Sequence, residues 1–362
     1  MSRRPLKKKA LAGRKGDAAR SEPGSDRPSL PKARSIERFL ARRLGLSFTL
    51  EMLQGDASTR SFMRVSSGRR RAVLMAHPEP LHRDAPLFSN HRVLTAIGAP
   101  VPRLLAAEGR TGLVLVEDLG DLTLQQHLLR LPPGPRTARA RAALYREACE
   151  MIVLLHRRGE AALLPGDFAA RHALDQDRFL FELDHFHRHY LLGLRELRPT
   201  GQDEAALRSF YADLAGACDR LPRVYCHRDF QSRNLMVHRG RLRLIDFQDA
   251  RMGPYTYDAA SLLRDSSLDL QQELVQHCLG MLADRLGVGL AELRRDFDLM
   301  ALQRNIKDLG TFGYMATVKN RPGYLAYVPR TVRMIRRTLV ASRRHHILYP
   351  ILERFILAGR AA

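Results

Sequence analysis

Apolar and polar residues alternate with a period of two over Phe48–Leu53 and Ser61–Val65, and a third, wholly apolar run follows at Ala72–Ala76. Such alternation sends successive side chains to opposite faces, so the first two runs predict half-buried strands, and the third reads as one more strand. Gly55-Asp56 and Gly68 separate the runs and mark turns, which makes the three strands antiparallel neighbours. A short amphipathic helix over Ser35–Leu44 comes first, with Gly45 placed to end it. Residues 88–97 form a second helix, closed by Gly98 and stopped by Pro100 and Pro102. Two further strands, near Leu104–Glu108 and Gly112–Val116, complete a small sheet.

The period changes after Asp121. Helices fit 123–130, 138–157, 175–195 and 203–220, and 131–136 (Leu-Pro-Pro-Gly-Pro-Arg) reads as a loop. One β-rich interruption spans 224–247, where Leu235–Val237 and Leu242–Ile245 flank a turn at Arg239-Gly240; helices resume from about Tyr257. No internal repeat occurs. The expected class is α+β and bilobal, with a small β-rich lobe over 35–120 and a larger, mainly helical lobe over 121–362.

Length and charge refine this plan. A chain of 362 residues suits about two domains. No uncharged apolar stretch approaches the roughly 18 residues of a membrane span. Cys149, Cys218, Cys226 and Cys278 lie far apart with no C-x-x-C pair, which argues against a disulfide scaffold or a zinc site and suits a reducing cytoplasm. Sixty Lys and Arg against 38 Asp and Glu leave a net charge of +22. Residues 1–34 hold eleven of these cations against Asp17, Glu22 and Asp26, with much Pro, Gly and Ser and little periodicity. They are expected to form a disordered basic arm, either a solvated tail or a contact for nucleic acid or anionic lipid. Residues 330–362 carry eight Arg and one acid, while Val328, Val332, Ile335 and Leu339 recur at helical spacing. There the arginines coat an amphipathic helix, as a solubilising face or as part of a positive cleft.

The chemistry concentrates in Cys226-His227-Arg228-Asp229-Phe230-Gln231-Ser232-Arg233-Asn234, which satisfies H-R-D-x-x-x-x-N, the catalytic-loop pattern of the protein-kinase superfamily. Asp246-Phe247 follows twelve residues after Asn234, at the end of an apolar strand. Phosphoryl transfer from ATP needs a cation to neutralise phosphate oxygens and an acceptor hydroxyl held in line. Asp229 is the candidate catalytic residue, accepting the proton of that hydroxyl or orienting it. Asn234 and Asp246 are the candidate magnesium ligands, because hard cations take oxygen donors. His227 and Arg228 are expected to brace the loop.

The nucleotide side departs from the usual pattern. Gly55, Ala57, Ser58, Thr59 and Arg60 lie between two predicted strands, where kinases place a phosphate-covering loop, although a single Gly makes the match weak. Ala72-Val73-Leu74-Met75 falls where V-A-I-K would place a phosphate-binding lysine, and Met75 stands at that lysine. Either Arg60, Arg64 or Arg71 supplies the missing cation or the contact is absent. Glu117, Asp118 and Leu119 form the expected hinge between lobes, where backbone groups meet adenine; Glu117 and Asp118 would alternatively cap the next helix.

Taken together, residues 45–345 resemble the aminoglycoside phosphotransferase/choline kinase branch of the protein-kinase-like fold. The resemblance is closest to bacterial anomeric kinases of N-acetylmuramate and N-acetylglucosamine. It is carried by Gly55-Asp56-Ala57-Ser58, Glu117-Asp118-Leu119-Gly120-Asp121, Asp246-Phe247-Gln248-Asp249-Ala250, Gly253-Pro254-x-x-Tyr257-Asp258, Ser261-Leu262-Leu263-Arg264-Asp265 and Arg304-Asn305-x-Lys307-x-Leu309-Gly310. The resemblance implies a cytoplasmic sugar kinase using ATP and Mg2+ and making a sugar 1-phosphate in peptidoglycan recycling. Gln248 at the glycine position of D-F-G, and the lack of A-P-E, disfavour a protein kinase. An aminoglycoside polycation would need an acidic site, whereas the C-terminal third is arginine-rich; a choline site would want an aromatic cage, and the chain has no Trp. Asp249, Arg304 and Lys307 are the candidate sugar contacts, with Arg304 and Lys307 alternatively a plain surface pair. A silent scaffold with a nucleic-acid-binding arm is the rival from another class. The sequence leaves the oligomeric state open.

Overall fold

The computed structural model describes residues 33–45, 47–53, 60–341 and 352–357. Residues 1–32 of the expected basic arm and Gly55, Ala57, Ser58 and Thr59 lie outside them, whereas Ala33 and Arg34 open the first helix. The chain runs α1 (Ala33–Leu44), β1 (Thr49–Leu53), β2 (Ser61–Ser67), β3 (Arg70–Ala76), α2 (Pro86–Ala96), β4 (Leu104–Glu108) and β5 (Leu113–Glu117). It continues with α3 (Leu124–Arg130), α4 (Pro135–Arg158), α5 (Phe168–Arg171), α6 (Gln176–Phe186) and α7 (Gly201–Asp219). Next come β6 (Arg223–Cys226), β7 (Leu235–His238), β8 (Arg241–Leu244), β9 (Arg251–Pro254), α8 (Tyr257–Leu263), α9 (Gln272–Leu286), α10 (Leu290–Thr317) and α11 (Val328–Ala341).

The first five strands form one antiparallel sheet in the order β1-β2-β3-β5-β4. Strand alternation divides its two faces between two cores. Met63, Val65, Ala72, Leu74, Ala76, Leu113 and Leu115 pack against Ile36, Phe39 and Leu40 of α1. Met75 and Val114 face the other way and join α2 and the large helical core. Met75 therefore lies on the sheet face that looks toward the helical lobe, which a phosphate-binding lysine would share.

Four sequence expectations change. The loop over 131–136 is shorter than expected because α4 starts at Pro135, whose fixed φ suits the first helical turn. The helix expected over 175–195 is α6 followed by a π-helical segment over His187–Leu194. Hydrophobic period alone does not distinguish that wider turn from an α-helix. Strand β9 went unread because its four residues end in Gly253-Pro254; it pairs with β6 and carries the chain from the site back into α8. Thr123 and Gln126 make the capping box of α3, so Glu117 and Asp118 do not cap it.

The amphipathic helix expected near the C-terminus is α11. Ile335 and Leu339 enter the main core, Arg333, Arg336 and Arg337 are exposed, and Arg330 donates to the Ser266 carbonyl. Among the described residues no helix is long and apolar enough to cross a membrane.

Candidate active site

Strand β6 delivers the catalytic segment, and a buried carboxylate fixes its turn. Arg228 has φ +77°, a left-handed conformation that costs a non-glycine residue about 1–3 kcal/mol. Asp258, at the start of α8, accepts from the backbone N–H of His227 at 2.7 Å and of Arg228 at 2.9 Å. Ser261 Oγ and Arg304 Nη1 donate to the Arg228 carbonyl. Farther along, Asp265 accepts from Ser232 through N–H and Oγ, at 2.9 and 2.5 Å. Replacing Asp258 with Ala would strand two buried N–H groups, at about 1–3 kcal/mol each. We expect a marked fall in Tm, checked by thermal denaturation followed by circular dichroism.

Asp229, Asn234 and Asp246 are brought together through the backbone. Asn234 Nδ2 donates to the Asp229 carbonyl at 2.8 Å, which leaves its Oδ1 for a cation. The Asn234 carbonyl accepts from Ile245 N–H at 3.0 Å, and the Ile245 carbonyl lies 3.0 Å from His227 Nε2. Asp246, the next residue, has φ +63° and is thus aimed by a second left-handed turn. A carboxylate and an amide oxygen suit a hard divalent cation. Among the described residues no cluster of three or more His, Cys, Asp or Glu offers another metal site.

The Asp229 carboxyl is charged. Burial alone would raise its pKa, but Lys307, Arg228 and Arg304 together hold it well below the usual carboxylate range. Lys307 Nζ and Arg304 Nη1 each lie 4.0 Å from Asp229 Oδ1.

Asn90 of α2 ties the other lobe to this segment. Its Nδ2 lies within 3.0–3.2 Å of the carbonyls of Phe247, Gln248 and Ala250, and its Oδ1 accepts from Tyr225 at 3.2 Å. It carried no signal in the sequence, where it is one of several polar residues, Ser89, Asn90, His91 and Arg92, in a row. Asp258 and Asp265 stood inside quoted motifs, but nothing in their spacing revealed which amides they hold.

The three arginines weighed for the missing cation separate. Arg64 clasps Asp118, at 2.8 and 3.1 Å, and Asp121, which locks the hinge to β2. Arg71 is exposed. Arg60 reaches Asp246, donating from Nη2 to Oδ1 at 3.0 Å beside Gln248 Nε2 at 2.9 Å. In the hinge, Glu117 pairs with Arg243 at 3.0 Å, and His238 Nδ1 lies 3.0 Å from the Leu119 carbonyl.

The candidate sugar contacts also divide. Arg304 is buried, with its guanidinium on the Arg228 carbonyl and the Tyr257 hydroxyl, so Arg304 and Lys307 are not a surface pair. Those bonds brace the catalytic segment. Asp249 is partly exposed but paired with Arg251 at 2.9 Å and Arg228 at 3.4 Å. Lys307 borders Asp229 directly.

The sequence matches the profile of the phosphotransferase enzyme family over residues 49–295. The chain belongs to that family. This phosphotransferase is 31% identical to an N-acetylmuramate/N-acetylglucosamine kinase of Pseudomonas aeruginosa, over 85% of this chain and 89% of that one. It is 30% identical to the N-acetylmuramate/N-acetylglucosamine kinase of Neisseria meningitidis, over 84% and 89%. A Mesorhizobium loti choline/ethanolamine kinase family protein shares the fold with a TM-score of 0.58 at 14% identity, covering 89% of this chain and 99% of that one. The aminoglycoside phosphotransferase APH(2")-IIa, solved with gentamicin, superposes with a TM-score of 0.54 at 17% identity, over 83% and 97%. These likenesses establish the protein-kinase-like fold that the motif spacing predicted.

Proposed function

We propose that this phosphotransferase transfers the γ-phosphoryl group of ATP to the anomeric hydroxyl of N-acetylmuramate or N-acetylglucosamine, in cell-wall sugar recycling. The observation that supports the phosphoryl-transfer reading is the chain of bonds from the Asp229 carbonyl through Asn234 to Ile245, the residue before Asp246. The amino-sugar reading is supported by the two relatives at 30% and 31% identity. Four buried cysteines, all reduced, fit a cytoplasmic enzyme.

In the reaction the bond between the γ-phosphorus and the bridging oxygen of ADP breaks as the sugar O1–phosphorus bond forms. Asn234 Oδ1 and Asp246 would hold Mg2+, which when bound neutralises charge on the phosphate oxygens. Asp229 accepts the hydrogen bond of the sugar hydroxyl and sets its line of attack. A carboxylate held at such low basicity is a weak base. That suits an anomeric hydroxyl, which is more acidic than an ordinary alcohol, and a loose transition state in which its proton passes to the Asp229 carboxylate only late, as the bond to phosphorus forms. Lys307, Arg228 and Arg304 flank Asp229, and Asp308 and Glu182 pair with them in turn.

Arg60 takes the part of the lysine displaced by Met75. It contacts Asp246 without nucleotide, and we assign its guanidinium to the phosphates when ATP arrives. Arg60→Ala should raise KM for ATP about tenfold, the loss of one charge-assisted contact, with Arg60→Lys recovering part of it. Steady-state kinetics at saturating sugar would check this.

An acceptor panel with ATP and magnesium tests the assignment: N-acetylmuramate, N-acetylglucosamine, kanamycin and choline. Turnover of one or both amino sugars at about 1–100 per second is expected. Turnover of kanamycin or choline alone would overturn the sugar assignment.

A further inference from the structure

Helix α6 and the π-helical segment after it lie against α10, and glycine permits the close approach. A Cβ at Gly310 would fall 2.5 Å from Phe186 Cα, and one at Gly313 would fall 2.4 Å from the His189 carbonyl oxygen. Beside this contact three half-buried rings gather. His185 and His189 have centroids 4.3 Å apart, and Tyr314 of α10 stands 5.3 Å from the first and 5.0 Å from the second.

The cluster continues directly from the catalytic centre. Glu182, one turn before His185, accepts from Arg228 of the catalytic loop at 3.2 Å and from Gln303 of α10 at 3.0 Å. Lys307, beside Asp229, lies seven residues before Tyr314, so both share one helix face about 10 Å apart along the axis. A hexose with a two-carbon substituent spans a comparable length.

Its two imidazoles are neutral, while Lys319 Nζ lies 5.5 Å from the Tyr314 ring centroid. Burial, aided by His189, Arg188 and Lys307, pushes the His185 pKa down to about 4, and burial lowers that of His189 too. A neutral imidazole offers one donor and one acceptor, and the Tyr314 hydroxyl offers both. Among the described residues no hydrogen bond satisfies either ring's nitrogens or that hydroxyl. A π-helical turn at this position is a distortion that frequently accompanies functional sites. Rings with unused donors and acceptors match a sugar, which has an apolar ring face and hydroxyl edges.

We propose that His185, His189 and Tyr314 form the acceptor subsite, which takes the ring and N-acetyl end of an N-acetylated hexosamine while its C1 hydroxyl lies at Asp229. The subsite rests on the amino-sugar reading above. Tyr314 supplies the stacking surface, and the two imidazoles bond the hydroxyl and acetamido groups.

Steady-state kinetics of the full chain with ATP and N-acetylglucosamine test the subsite in His185→Ala, Tyr314→Ala and the conservative pair His185→Gln and Tyr314→Phe. Each alanine variant should raise KM for the sugar about tenfold while KM for ATP stays within about twofold, because one stack or hydrogen bond is lost from the acceptor alone. Each conservative variant should recover a large part of that loss. Unchanged sugar KM in the alanine variants, with the wild-type Tm kept, would overturn the subsite. So would an equal rise in both KM values, the mark of a merely structural role. A wild type that phosphorylates neither amino sugar fails the acceptor panel and overturns the function and the subsite's ligand together. A wild type that turns them over with unaltered variant KM overturns the subsite alone.

Discussion

Asp229→Ala should lower kcat by about 10²–10⁴-fold, the range removed with a positioned acid–base group, and leave KM for ATP within a few-fold. The magnitude follows from what Asp229 does. In the proposed mechanism it faces the acceptor hydroxyl while other residues hold the nucleotide, so the loss falls on the transition state. The fold should survive, because the turn is held by Asp258 on backbone amides and by Arg304 on a backbone carbonyl, neither through the Asp229 carboxylate. The pH profile offers an independent reading. Since the folded pKa is depressed, the carboxylate is ionised throughout the working range, and kcat should show no acidic limb from Asp229 above about pH 5. The same depression stabilises the fold above the unfolded-state pKa and is lost as pH falls through the folded one. Single-turnover and steady-state assays over pH 5–8 would check both the drop and the flat profile.

The second large effect is expected at the cation. Asp246→Ala removes the one carboxylate offered to magnesium, and electrostatic stabilisation by such a metal is worth several kcal/mol, or about 10³-fold in kcat. Two features separate this loss from that of Asp229→Ala. Raising magnesium should restore part of the activity of Asp246→Ala and none of that of Asp229→Ala. Removing the carboxylate also ends the Asp246–Arg60 ion pair, and the nucleotide keeps its other contacts, so ATP binding should suffer less than catalysis. Titrations of activity against magnesium for both variants would show the difference.

Much of the fold was legible because its signals are local. Period-two runs fixed the hairpins of the small sheet, since one face of each strand must be buried. The candidate site was legible where chain spacing alone decides geometry. Asp229 and Asn234 lie five residues apart on one loop, and a tight hairpin of β7 and β8 returns Asp246 to them. What stayed hidden depends on partners remote in sequence. Asn90 acts on carbonyls more than 150 residues away, and Asp258 holds amides 30 and 31 residues upstream. Neither pairing leaves a periodic trace. Arg60 and Arg64 could not be told apart in the sequence, because they stand four positions apart, one just before the strand and one inside it. Only the partners distinguish them: Asp246 for one, the hinge acids for the other. The π-helical turn was invisible for a related reason, since widening a helix by one residue barely alters its apolar spacing.

The most direct measurement is a crystal structure with a non-hydrolysable ATP analogue, magnesium and N-acetylglucosamine bound together. The account predicts one cation at about 2.0–2.1 Å from both Asn234 Oδ1 and an Asp246 carboxylate oxygen. It also predicts the sugar O1 within hydrogen-bonding distance of the Asp229 carboxylate and facing the γ-phosphate. A cation held elsewhere, or an acceptor hydroxyl turned away from Asp229, would contradict it.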